Sequence, residues 1–207
     1  MMSMFGLRAE LLLPGKKMEV RRASYQLRFR NDFGRLEGSD PLIGEEFDEQ
    51  DNVSPTIVVF ANIDDKEVMV ACARILLCTN GPITLDPNLV NRDELHGEVS
   101  RFTIEKSVGD RLLRQQIRFV LCSVLAEYAF GELGYRTLYS DARVYFYQIL
   151  LGCMGDSLET LGPKHLAVKK GQMVPVIPCC IRSSSVPAIR ARFLRILGTL
   201  EAQRLPR

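Results

Sequence analysis

A chain of 207 residues, 46% hydrophobic and 25% charged with mean hydropathy near zero, has the composition of a globular protein with one sizeable core. No apolar run approaches the roughly 20 residues that span a bilayer, and residues 1–13 carry Arg8 and Glu10 where a signal peptide would be uninterrupted, so the expected location is cytoplasmic. The net charge of +2 is unevenly spread: residues 1–36 hold eight Lys/Arg against three acids and residues 37–65 nine acids and no base, an arrangement that argues against a nucleic-acid surface.

Residues 1–13 read as a first strand closed by Pro14-Gly15. Residues 16–36 show helical spacing, with Val20, Tyr25, Leu27 and Phe33 as an incomplete apolar stripe among Arg21, Arg22, Arg28 and Arg30. So many cations on one helix ordinarily mean a solvated face; the sharper alternative is a lid presenting Arg28 to an anion. Residues 37–54 lack periodicity and carry Gly38, Pro41 and Gly44, which predicts a long loop around the acidic run Glu46-Phe47-Asp48-Glu49-Gln50-Asp51. A strand over 55–62, a hairpin turn over 63–66 and a return strand over 67–78 follow from β-branched content and the Asp64-Asp65 pair. Arg74 stands inside that return strand, where it either snorkels or faces a cleft. Residues 79–95, with Gly81-Pro82 and Asp86-Pro87, form a second long loop.

The stretch His96-Gly97-Glu98-Val99-Ser100-Arg101-Phe102-Thr103-Ile104-Glu105 alternates as a strand. Val99, Arg101 and Thr103 point one way and Glu98, Ser100, Phe102 and Ile104 the other, near one edge of a sheet. A bulge between Glu98 and Arg101 would turn both toward one cleft. A Glu there can take a proton from an amine, and an Arg can hold a carboxylate in its two-pronged fork; the plainer reading is an exposed salt bridge. Asp110 is a good N-cap for the clearest helix, which runs to Gly134 with Leu113, Ile117, Val120, Leu121, Val124, Leu125 and Tyr128 as its apolar stripe. Arg111, Arg114 and Arg118 line another face of it, either an anion dock or plain surface. A strand over 135–141, a helix over 142–153, strands over 158–169 and 172–181 and a last helix over 184–203 complete the chain.

The six Cys have no Cys-x-x-Cys spacing and the two His are far apart, so buried reduced thiols are expected and no metal site. No linker divides the chain, and the element order predicts a single α/β (α+β) domain over residues 1–207, with a mixed central sheet and helices on both faces.

Glu98-Val99-Ser100-Arg101-Phe102 resembles the Glu-x-Ser-Arg-Phe strand of the acyl-homoserine-lactone synthases, the autoinducer synthases of bacterial quorum sensing. The resemblance continues in register through Asp48-Glu49-Gln50-Asp51, Cys72-Ala73-Arg74-Ile75-Leu76, Thr79-Asn80-Gly81-Pro82, Gly134-Tyr135 and Leu161-Gly162-Pro163. Three positions depart from the family pattern: the chain has no Trp, Gly97 stands where Trp is frequent, and the Arg-x-x-x-Phe spacing is one residue longer, from Arg28 to Phe33.

The resemblance implies an N-acetyltransferase fold and an acyltransferase. Such an enzyme takes an acyl chain from acyl carrier protein (or acyl-CoA) and places it on the amine of S-adenosylmethionine. Lactonisation then releases methylthioadenosine, with no cofactor beyond these substrates. Glu98 would be the base and Asp48 its partner or an ammonium anchor. Arg74 would tie Asp48 or Asp51 into the cleft, and Arg101 or Arg28 would hold the substrate carboxylate. Phe33, Asp51, Phe102 and Ser140 join the substrate-binding set, and a splayed sheet would supply N–H groups for the thioester oxyanion. Arg111, Arg114 and Arg118, with Lys164, Lys169 and Lys170, would dock the carrier protein. No Gln-x-x-Gly-x-Gly cradle for a pyrophosphate stands between Phe102 and Arg111, which favours a carrier protein over coenzyme A.

Overall fold

The computed structural model describes residues 2–4, 6–33, 39–40, 44–78, 84–169 and 172–202. The amino-terminal segment expected as one strand folds as a hairpin, with Gly6 at φ +73° between β1 (Met2–Met4) and β2 (Leu7–Leu12). After it come α1 (Met18–Arg28), β3 (Ser39–Asp40), β4 (Glu45–Glu46), β5 (Thr56–Ile63) and β6 (Lys66–Leu77). The turn between β5 and β6 places Asp64 and Asp65 both at positive φ, 51° and 60°, the geometry a two-residue hairpin requires. Next stand β7 (His96–Ile104), α2 (Arg111–Ala126), β8 (Thr137–Arg143) and α3 (Val144–Met154). The predicted strand over 158–169 is split at Pro163 into β9 (Leu158–Thr160) and β10 (His165–Lys169), followed by β11 (Gln172–Arg182) and α4 (Val186–Ala202). Asp110 caps α2 as expected, its Oδ1 accepting from the N–H groups of Leu112 and Leu113.

Nine strands form one sheet in the order β1-β2-β5-β6-β7-β8-β11-β10, with β9 beside β11. Every pairing is antiparallel except β7 with β8. The Glu98–Arg101 strand is therefore central, and its expected place near an edge is corrected. On one face α2 buries Ile117, Val120, Leu121 and Leu125 against Ile57, Val59, Ala73, Ile75 and Val99. α3 and α4 extend that layer through Ile149, Leu150, Cys153, Ile189 and Phe193. On the other face α1 packs Leu27 against Val58, Met69 and Cys72. Helices cover both faces of a mixed sheet, as the element order predicts. All six cysteines are buried free thiols, and no described helix is long and apolar enough to cross a membrane.

Gly97 points to the α2 face, where the Tyr135 ring lies on it; a Cβ at this position would sit 2.9 Å from Tyr135 Cδ2 and 3.2 Å from the Leu76 carbonyl. Tyr135 thus fills space that a side chain at position 97 would need. Gly97→Ala should cost about 1–3 kcal/mol in denaturant unfolding. Adding Tyr135→Ala should cost less in that background than in the wild type; additive losses would mean the two positions do not share space.

Candidate active site

The site is built where alternation along β7 breaks. Cys72 pairs with Thr103 and Arg74 with Ser100, so two residues of β7, Arg101 and Phe102, face the single residue Ala73. Arg101 takes φ +54°, a left-handed conformation costly for a side chain of this size. The bulge inverts the expected sides beyond Ser100. Arg101 joins Glu98 and Ser100 on the α1 face, while Phe102 moves with Val99 to the α2 face. Arg74 lies opposite Ser100, and Leu76 opposite Glu98, which places Arg74 and Glu98 on one face of the sheet.

On that face arginines and carboxylates interlock. Arg28 forks onto Asp51 at 3.0 and 2.8 Å and pairs with Glu46 through Nε at 2.9 Å, and all three side chains are without exposed surface. Arg74 holds both oxygens of Asp48, Nη2 at 3.1 Å, and reaches Asp51 Oδ1 at 3.1 Å and Ser100 Oγ at 3.1 Å. Arg101 bridges Glu46 at 3.0 Å and Asp48 at 2.6 Å. Among the described residues each of these guanidiniums touches two of the three carboxylates, so the three cations balance the three anions. The acidic run is shaped for this by its 3₁₀ turn, in which Asp48 accepts from Gln50 N–H and Asp51 accepts from Asp48 N–H.

Burial by itself would raise the Asp48 carboxyl. The Arg74 hydrogen bond and the charges of Arg74, Arg101 and Arg28 outweigh it and hold Asp48 below the usual carboxylate range. It is a fixed anion, better suited to anchoring a cation than to accepting a proton. Arg101 is pushed down to about 10, first by burial and then by the like charge of Arg74, with Asp48 opposing. It stays charged at neutral pH. Glu98 lies on the same face, 1% exposed, with Oε2 accepting from Thr84 N–H at 3.1 Å and Oε1 from the Thr84 hydroxyl.

The parallel pair β7/β8 is hydrogen-bonded only over His96–Glu98 against Thr137–Tyr139, after which the strands diverge. Ser140 stands at the opening, its Oγ donating to the Val99 carbonyl at 3.4 Å. On the α2 face the gap widens into a cavity of about 400 Å³ lined by Phe102, Ile104, Phe146 and Ile149, with Lys106, Arg143 and Tyr145 also on its wall. The Phe102 and Phe146 rings meet at 4.3 Å between centroids. Glu98 and the ionic cluster thus lie on one side of a slit whose other side is an apolar cavity.

Several expectations change here. Arg28 is not offered to solvent as a lid residue, and Arg21 is likewise buried, spending its guanidinium on the carbonyls of Leu12, Leu13, Asp51 and Ser54. Only Arg22 and Arg30 behave as a solvated face. The added residue between Arg28 and Phe33 is absorbed by a π-helical turn over Phe29–Phe33, since such a turn brings residue i+5 to where an α-turn brings i+4. The Phe33 side chain lies outside the described residues, as do Thr79-Asn80-Gly81-Pro82 and Lys170. Of the docking set, Arg111 is exposed, Arg114 is folded back onto the Val108 and Lys106 carbonyls, and Arg118 donates to Tyr145 Oη at 3.1 Å. Sequence reasoning passed over Glu46, Thr84, Lys106, Arg143 and Phe146. Glu46 was visible in the acidic run; Thr84 reaches Glu98 only through the fold.

No family model matches the chain, and no curated protein matches it by sequence. Solved structures do match in shape. The AHL synthase LasI superposes with a TM-score of 0.60 at 19% identity, covering 86% of this chain and 90% of its own. FeeM, an N-acyl amino acid synthase from uncultured soil microbes, gives 0.52 at 12% identity over 90% and 94%. A ribosomal-protein-S5-alanine acetyltransferase from Vibrio fischeri gives 0.55 at 11% identity over 88% and 96%. The splayed mixed sheet, with helices on both faces, has the N-acetyltransferase-like fold.

Proposed function

We propose that this chain is an acyltransferase that moves an acyl group from a thioester to an amine, and that it is an acyl-homoserine-lactone synthase. The observation that carries the reading is the slit between β7 and β8, with an apolar cavity on one side and buried Glu98 on the other. The acyl chain lies between Phe102, Phe146 and Ile149, and the thioester carbonyl sits in the gap. N–H groups released where the strands diverge steady the oxyanion. Glu98 takes the ammonium proton, directly or through a water, so that the free amine attacks the carbonyl carbon and the thiolate leaves. The acceptor is S-adenosylmethionine. Its own carboxylate then attacks the carbon next to sulfur, closing the lactone and expelling methylthioadenosine. Asp48, Asp51, Arg28, Arg74 and Arg101 hold the acceptor side as one charge-balanced block, and Phe33 belongs to its substrate wall.

The donor is carried on acyl carrier protein rather than coenzyme A. Asp110 places its own carboxylate on the first N–H groups of α2, where the phosphates of a nucleotide would otherwise seat. Exposed Arg111, with Arg114 and Arg118, provides the docking surface for an acidic carrier, and its contribution falls with salt. The enzyme works in the cytoplasm without metal or organic cofactor. A second reading, acylation of a plain amino acid, is favoured by the absence of any Trp to stack on an adenosyl group and by the likeness to FeeM.

The test is product analysis by mass spectrometry. Acyl carrier protein and S-adenosylmethionine should give acyl-homoserine lactone and methylthioadenosine in equal amounts. Free thiol without methylthioadenosine, with an amino acid acylated faster, would replace the lactone reading by the second.

A further inference from the structure

Glu98 is 1% exposed, and burial of that degree draws a carboxyl toward its neutral form, which cannot take a proton. One residue outside the sheet opposes this. Thr84 gives Glu98 two donors, its N–H to Oε2 at 3.1 Å and its hydroxyl to Oε1, so a single residue spans both oxygens. Donors to a carboxylate favour the ionised form, and a pair on its two oxygens also fixes the plane of the group. Each oxygen has a second lone pair, so this clamp leaves the carboxylate able to accept a proton.

Thr84 itself is exposed, and its position is set by its neighbours. Leu85 is buried against Tyr139 and Cys180, with Leu89, Val90 and Leu161 packed around them. The chain then turns at Pro87–Leu89, where Asp86 Oδ1 accepts from Asn88 N–H, and returns to donate Asn91 N–H to Tyr139 Oη at 3.0 Å. Tyr139 is the residue of β8 that stands in register with Glu98. Residues 84–91 are thus pinned near both ends on the side chain beside Glu98 in the sheet, and that pinning delivers Thr84 to the carboxylate.

We propose that Thr84 is the positioning residue of the Glu98 base, a clamp that orients its carboxylate and holds it ionised for proton abstraction. The proposal rests on the reading of Glu98 as the base and names what keeps a buried carboxyl fit for that task.

The test compares two variants. Thr84→Val removes the hydroxyl and keeps the N–H and the β-branched shape, whereas Thr84→Ser keeps both donors. His96 on β7, Tyr139 and Asp141 on β8, and the ionic cluster with Arg74 and Arg101 share the sheet face with Glu98. All of these are common to the variants, so a difference between them reports Thr84. In Thr84→Val the acidic limb of kcat against pH should move up by about 1–2 units, with the plateau above it within about tenfold of wild type and KM unchanged. Thr84→Ser should keep the wild-type limb. A larger loss that no rise in pH restores, or a displaced limb that Thr84→Ser shares, would overturn the clamp. A second readout needs no turnover. With glutamate isotope-labelled at the side-chain carboxyl carbon, the magnetic-resonance signal that disappears in Glu98→Gln belongs to Glu98, and its titration midpoint should rise by the same amount in Thr84→Val and stay in place in Thr84→Ser. An unmoved midpoint in Thr84→Val would overturn the clamp even in an active enzyme. If the wild type acylates no amine, the transfer reading falls, and the midpoint by itself decides whether Thr84 holds the carboxylate ionised.

Discussion

Glu98→Gln should lower kcat by about 10²–10⁴-fold with little change in the binding of either substrate. The substitution preserves the contacts with Thr84. The Gln carbonyl can still accept from Thr84 N–H, and its amide can donate to the Thr84 hydroxyl, because a hydroxyl serves as donor or acceptor. Both Thr84 contacts survive, while the capacity to take a proton is lost. Steady-state kinetics beside a thermal melt would separate the two effects. Activity within tenfold of wild type at an unchanged melting temperature would remove Glu98 as the base, and Asp48 would be a poor substitute because its arginines hold its carboxyl below the usual range and so weaken it as a base.

The second large effect is on stability. Arg28→Met should destabilise the protein by about 3–5 kcal/mol, because removing one member of a buried ionic group strands the others. Among the described residues, Glu46 would keep Arg101 and Asp51 would keep Arg74 as a cationic partner, and both carboxylates are without exposed surface. Arg28→Lys keeps the charge but cannot fork onto Asp51 while reaching Glu46, so it should fall between the two. Denaturant unfolding measures both. If Arg28→Met unfolds like the wild type and instead raises KM for the amine substrate, Arg28 leaves its carboxylates to clamp the substrate.

Acid should weaken the same cluster, and the sign follows from Asp48. Its folded carboxyl lies below the ordinary value, so the unfolded chain binds protons first. The stability it contributes is present above the ordinary carboxylate range and is lost as pH falls through the lowered folded value.

How much of this was legible in the residues can be read from β7. Its existence, its alternation and the chemistry open to a Glu and an Arg on it are local properties, visible because side chains alternate with period two. So are the Asp64-Asp65 turn and the Asp110 cap, each decided by backbone needs within four residues. The bulge is different. Nothing in Ser100-Arg101-Phe102 demands a left-handed Arg101; the register of β6, held by Arg74 on Ser100 and Cys72 opposite Thr103, imposes it. That single tertiary fact reversed the faces of Arg101 and Phe102, delivering one to the ionic cluster and the other to the cavity.

The same division holds for charge. Composition alone showed a basic segment beside an acidic one, and local periodicity favoured a solvated face for the basic helix. Whether Arg21 and Arg28 stay in water depends on carbonyls and carboxylates 18 to 33 residues away in the chain, which meet them only once α1 lies on the sheet. The sequence by itself determined the strands β5 to β8 and β11, the Asp64-Asp65 turn, the main helix and the chemical types available. Tertiary structure alone decided which face each group serves, since the slit, the cavity and the ion pairs all depend on contacts between segments distant in the chain.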